Sequence, residues 1–150
     1  MTKPPRELVE FLRRHDPSIR NLSLGLRRVV LDEMAPCHEY IFAMRSAVML
    51  LFGPNDRVID DCVCMIAVLR KHVNLQFTEG IELEDPSGVL RGTGKRMRHL
   101  TLKTIAELDR PEIRMLLQRA RIRAGMTPRQ RARRDVITRV KPSTSRPADS

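Results

Sequence analysis

The 150 residues are 41% hydrophobic and 31% charged, a globular balance that argues against disorder and is long enough to bury a core. No apolar run approaches the ~20 residues of a bilayer span. The opening MTKPPRELVE has no signal-type apolar stretch, so a cytoplasmic address is expected. Of the net charge of +10, half falls on residues 125–150, which carry seven Lys or Arg against two Asp.

Residues 5–15 predict a short helix, with Leu8, Phe11, Leu12 and His15 at i, i+3, i+4 and i+7. Asp16-Pro17 breaks and restarts the chain, Asp16 as N-cap and Pro17 at the first helical position. The second helix runs to about Ala35 and is ended by Pro36. Its inner stripe is Ile19, Leu22, Leu26, Val29 and Val30, and Arg20, Arg27, Arg28 and Asp32 are expected to face outward.

From Tyr40 the pattern changes to strands. Tyr40–Met44 and Ala47–Phe52 are apolar and end at the turn Gly53-Pro54-Asn55-Asp56-Arg57. Arg57 is expected to pair with Asp60 or Asp61. Residues 62–69 are continuously apolar, as in a strand covered on both faces, although periodicity alone leaves a buried helix open. Residues 72–78 alternate: Val73, Leu75 and Phe77 point one way, His72, Asn74, Gln76 and Thr78 the other. With Arg70-Lys71 between them, these two segments read as a β-hairpin.

The stretch GIELEDPSGVLRGTGKRMRH (80–99) holds two turn signals, Asp85-Pro86-Ser87-Gly88 and Gly92-Thr93-Gly94, ahead of the cations Lys95, Arg96 and Arg98. Met97–Lys103 is the last expected strand, with Leu100 and Leu102 on the face of Arg98 and with His99, Thr101 and Lys103 opposite. Thr104-x-x-Glu107 has capping-box spacing, and Asp109-Arg110-Pro111-Glu112 opens a final helix with Ile113, Leu116, Leu117 and Ala120 inward. Strands grouped between helices imply an α+β fold: a two-layer sandwich whose antiparallel sheet of four to five strands packs on N-terminal and C-terminal helices. The domain is expected over residues 1–124, with 125–150 a basic, solvated tail.

Cys37, Cys62 and Cys64 follow no disulfide or metal spacing and are expected as reduced, buried thiols. Gly92-Thr93-Gly94-Lys95 lacks the spacing of a phosphate-binding P-loop and reads as a tight turn, with an anion nest of backbone amides the weaker possibility. No Ser-His-Asp arrangement or H-E-x-x-H motif is present, so no catalytic residue, metal or cofactor is assigned. If the strands at 72–78 and 97–103 share a sheet, their polar residues form one surface. Lys71, His72, Lys95, Arg98 and His99 are then the expected binding residues, for a small anionic ligand or a partner protein. The basic tail offers a separate, sequence-independent route to nucleic acid, whereas base stacking by the domain itself is not expected, since aromatic residues are 3% of the chain and Trp is absent.

The segments Phe52-Gly53-Pro54-Asn55-Asp56-Arg57, Lys71-His72-Val73-Asn74-Leu75, Asp85 to Lys95, Met97-Arg98-His99-Leu100 and Leu108-Asp109-Arg110-Pro111 resemble the YdhG-like family, bacterial domains without an assigned reaction. The resemblance covers roughly residues 7–124. It implies the α+β fold and, from one frataxin-like branch, an iron-chaperone role. The carboxylates available to that role on the first two helices are Glu7, Glu10, Asp16, Asp32 and Glu33.

Overall fold

Why the chain folds into two layers is visible in its register. A computed structural model describes residues 3–126 and 135–142. Helix α1 (Arg6–Phe11) continues into a 3-10 turn (Leu12–Arg14), and α2 spans Pro17–Met34. Strands β1 (Cys37–Ala43), β2 (Val48–Gly53), β3 (Cys64–Val68) and β4 (Val73–Phe77) follow. After a glycine-rich loop come β5 (Arg98–Leu102), a 3-10 turn (Ile105–Asp109), α3 (Pro111–Arg123) and β6 (Val136–Val140). The strands make one six-stranded sheet in the order β5-β4-β3-β2-β1-β6. All neighbours are antiparallel except β1 and β6, which run parallel. The molecule is thus the α+β sandwich its sequence implies, with six strands in place of four to five.

Period-two alternation sorts each strand into an inward and an outward set. Ile41, Val48, Leu50, Phe52, Ile66, Leu75, Phe77 and Leu102 point inward and are buried. They join Leu22, Leu26, Ile113, Leu116 and Leu117 from the helices in one apolar cluster. Burying a side chain such as Phe52 or Phe77 contributes about 1.5–3 kcal/mol. The helices α2 and α3 pack on each other, and α2 lies on β3 and β4. Pro17 starts α2 at its first turn as expected, although the Asp16 side chain makes no capping hydrogen bond. Pro36, with no N–H to donate, follows its last residues.

Two expectations are corrected. Arg27 does not face solvent. Its side chain is 3% exposed and donates from Nε and Nη2 to both carboxylate oxygens of Glu39, each at 2.8 Å. Thr138 of β6 donates its hydroxyl to the same carboxylate at 2.8 Å. An inward Glu on β1 thus requires a cation from the helix layer, because an unpaired buried charge is prohibitively costly. The solvated tail is corrected too: its residues Val136–Val140 form β6, with Val136 and Val140 packed on the core. Its arginines 129, 131, 133 and 134 lie outside the described residues.

The loop from Asp85 to Gly94 is held by local bonds. The Asp85 carboxylate accepts the N–H groups of Val89 and Leu90 at 3.0 and 2.9 Å. Gly92 sits at φ +125, a region only glycine occupies without strain. Gly80 lets the chain pass against β5: a Cβ there would stand 2.7 Å from the Arg98 backbone nitrogen. Cys37 and Cys64 are buried and Cys62 half-buried, all three as free thiols. Burial, with Glu39 adding to it, pushes the Cys37 thiol up to about 12.

Candidate functional site

Among the described residues the helices pack on one side of the sheet, so the outward residues of its strands form a face without helical cover, on which Leu51 and Ala67 are buried by their neighbours. Antiparallel and parallel pairings set most of them in two rows, with Ile137, His38 and Gly53 in a shorter third. One row runs Arg139, Tyr40, Leu51, Met65, Gln76, His99. The other, a step nearer the ends of β1 and β6, runs Phe42, Met49, Ala67, Asn74, Thr101. The face is apolar and aromatic over β1 to β3 and polar over β4 and β5. None of the outward strand residues is Asp or Glu.

Aromatic character is concentrated on β1. The Tyr40 and Phe42 rings are 5.5 Å apart, tilted by 42°. The guanidinium of Arg139 lies 5.1 Å from the Tyr40 ring centroid and donates to the Asp56 carbonyl at 3.2 Å. At the polar end, Thr101 donates its hydroxyl to the Asn74 amide oxygen at 2.7 Å. The side-chain amide of Gln76, directly across from His99 on β5, has no hydrogen-bond partner among the described residues.

The strand directions then divide the charge. β1, β3, β5 and β6 end, and β2 and β4 begin, at the same end of the sheet. The turn Met44-Arg45-Ser46, the turn Arg70-Lys71-His72, and Lys103 and Lys141 therefore line one rim. Arg45, Arg70, Lys71, Lys103 and Lys141 are all exposed, and none has an ion-pair partner among the described residues. The opposite end carries Asp56, Asp60, Asp61, Glu79, Glu82 and Glu84, and most of its arginines are paired there. Arg57 meets Asp60 at 3.4 Å, as its sequence position implies, and Arg123 meets Glu82 at 3.3 Å.

The five binding residues expected from sequence fall into separate places. Lys71 and His72 belong to the basic rim. His99 lies on the same face but four residues along the strands, roughly 13 Å from His72 at ~3.3 Å per residue. Arg98 points to the helix side with Leu100, at the acidic end. Its Nη1 donates to the Gly94 carbonyl and, at 2.7 Å, to that of Met97. The guanidinium is thus held by its own loop, and Lys95 is exposed in that loop. No single pocket joins all five.

Tyr40, Phe42, Arg45, Arg70 and Lys103 are residues that sequence reasoning assigned to no site, and Arg139 and Lys141 were expected only as part of the basic tail. The signal was the phase of residues 37–43: once Cys37 and Ile41 are inward, His38, Tyr40 and Phe42 must be outward. Likewise Val136, Thr138 and Val140 alternate with Ile137 and Arg139.

A second concavity lies at the acidic end, a cleft of about 330 Å³ between the β2–β3 connection and the end of α3. Asp60, Cys62, Thr78, Glu79, Leu83 and Arg123 line it. The Cys62 thiol donates to the Cys64 carbonyl at 3.2 Å, and burial pushes its pKa up. The Thr78 hydroxyl is near enough to that thiol to oppose part of the rise, yet meets no hydrogen-bond geometry itself. A protonated thiol is a poor nucleophile, and Arg123 is taken up by Glu79 and Glu82. Among the described residues no three His, Cys, Asp or Glu side chains are placed to hold a metal ion. No helix among them is long and apolar enough to cross a membrane.

Comparison of the chain with protein-family models, curated proteins and solved structures yields no match.

Proposed function

We propose that this chain is a binding module whose open sheet face seats an anionic partner, anchored by the rim of Arg45, Arg70, Lys71, Lys103 and Lys141. One observation carries the reading: five exposed cations without ion-pair partners border a face that offers no carboxylate on its strands. Unpaired cations on one rim sum to a local positive potential that draws polyanions. The carboxylates gathered at the far end repel the same partner and so orient it.

The test is titration of fluorescently labelled inorganic polyphosphate against the full chain over a range of salt. Each phosphate contacted lowers the slope of log K against log salt by about 0.7, as for single strands, so five contacts give about −3.5. Replacing Arg70, Lys71 and Lys103 together by Ala should lower affinity more than tenfold and bring the slope to about −1.4. Replacing Lys95 and Arg98 by Ala should leave both nearly unchanged. Affinity that survives the rim variant and falls in the other would move the site to the glycine-rich loop and overturn this reading.

A further inference from the structure

Resting on the polyanion reading above, we infer that the natural partner is single-stranded nucleic acid, with bases stacked on Phe42 and on the Arg139–Tyr40 pair and phosphates along the rim. The argument starts from where the aromatic rings are. Aromatic residues make up only 3% of the chain. Phe52 and Phe77 are spent in the core, whereas Tyr40 and Phe42 are set side by side on the uncovered face. A core-forming role does not require them there.

Two kinds of surface stack with a base: an aromatic ring and an arginine guanidinium. This face holds both within one strand pair, because the parallel register sets Arg139 opposite Tyr40. Phe42 is in the row next to the rim, and Arg45 and Lys141 lie just beyond it. A base on Phe42 thus leaves its phosphate beside cations. Across the sheet, Asn74, Gln76 and His99 bring amide and imidazole groups of the type that bond base edges, and the Gln76 amide has no partner among the described residues. The outward strand positions contain no carboxylate to repel a phosphate chain. Charge complementarity therefore favours this occupant over an acidic peptide, which has no bases to use the stacking surfaces. A duplex is disfavoured because its bases are already stacked on one another.

The experiment compares three labelled probes on the full chain at equal ionic strength: a twelve-nucleotide oligouridine, inorganic polyphosphate of similar charge, and a twelve-base-pair duplex. The oligouridine should bind at least fivefold tighter than polyphosphate, since one stacked base contributes that much or more. Phe42→Leu and Tyr40→Leu, which keep an apolar side chain, should bring the oligouridine down to the polyphosphate affinity. Polyphosphate affinity itself should stay as it was, and Phe42→Tyr should restore the difference. Thermal melting of each variant shows that the fold is kept.

Equal binding of oligouridine and polyphosphate, or tighter binding of the duplex, would overturn the inference while leaving the rim reading intact. The same holds if Phe42→Leu weakens both probes alike. A face shaped for another protein would show either of the first two patterns. Binding of none of the probes would remove both the rim reading and this one.

Discussion

Arg27 and Glu39 show how one inward carboxylate reorganises its surroundings. The bidentate pair is 3% and 0% exposed, and Thr138 supplies a further donor, so the carboxylate's partners come from α2 and β6. Breaking such a pair leaves a buried charge uncompensated and costs about 3–5 kcal/mol. Glu39→Ala should lower stability in urea by that order. Replacing both residues by Met should cost far less, because no orphaned charge remains. A single variant as stable as the parent would mean that water reaches the site. The pair was illegible in the sequence: Arg27 fits the polar side of a helical wheel, and nothing local announces a partner twelve residues away.

Elements, by contrast, were largely written in local pattern. Both main helices, the β3–β4 hairpin and β5 appear where alternation and proline put them, within one to two residues at their ends. The Thr104–Glu107 spacing also does what it implies, since the Glu107 carboxylate accepts the N–H groups of Lys103 and Thr104 at 2.7 and 3.0 Å. The Lys103 N–H bond is the leading cause that holds the Glu107 pKa below the usual carboxylate value. A folded-state pKa below the unfolded one contributes stability at neutral pH that is lost as pH falls through the folded value. Glu107→Gln should therefore be less stable than the parent at pH 7, and the gap should close as acidification passes through the lowered folded-state pKa. A gap independent of pH would assign the loss to packing instead. Strand β6 escaped notice because its five residues follow a long basic stretch whose composition reads as solvated. Only the partial burial of Val136 and Val140 separates it from the tail it belongs to.

At the scale of the whole molecule, β6 both completes the core edge and extends the proposed binding surface. Ending the chain at residue 134 removes the Val136 and Val140 packing and the Thr138 hydrogen bond, a loss on the order of 3 kcal/mol. The shortened chain should unfold at lower urea with a smaller denaturant dependence, and it should also bind polyphosphate more weakly through loss of Lys141. Unchanged stability would mean that the sheet closes at β1. The division of charge belongs to this scale as well. Arg45, Lys71, Lys103 and Lys141 are scattered over nearly 100 positions of the chain, and only the alternating strand directions bring them to one rim. Lys71 and His72 were legible as site candidates because they flank a clean alternation. Their companions were not, since each is ordinary in its own neighbourhood.

The amino-acid order alone determined the element types, the inward set of most strands and the α+β class, because hydrophobic period and turn chemistry act between near neighbours. Strand order, the parallel return of β6, the burial of Arg27 and the separation of a basic end from an acidic one were decided by tertiary structure. Those features depend on contacts between distant segments, whose free energy exists only once the sheet has formed and desolvated them.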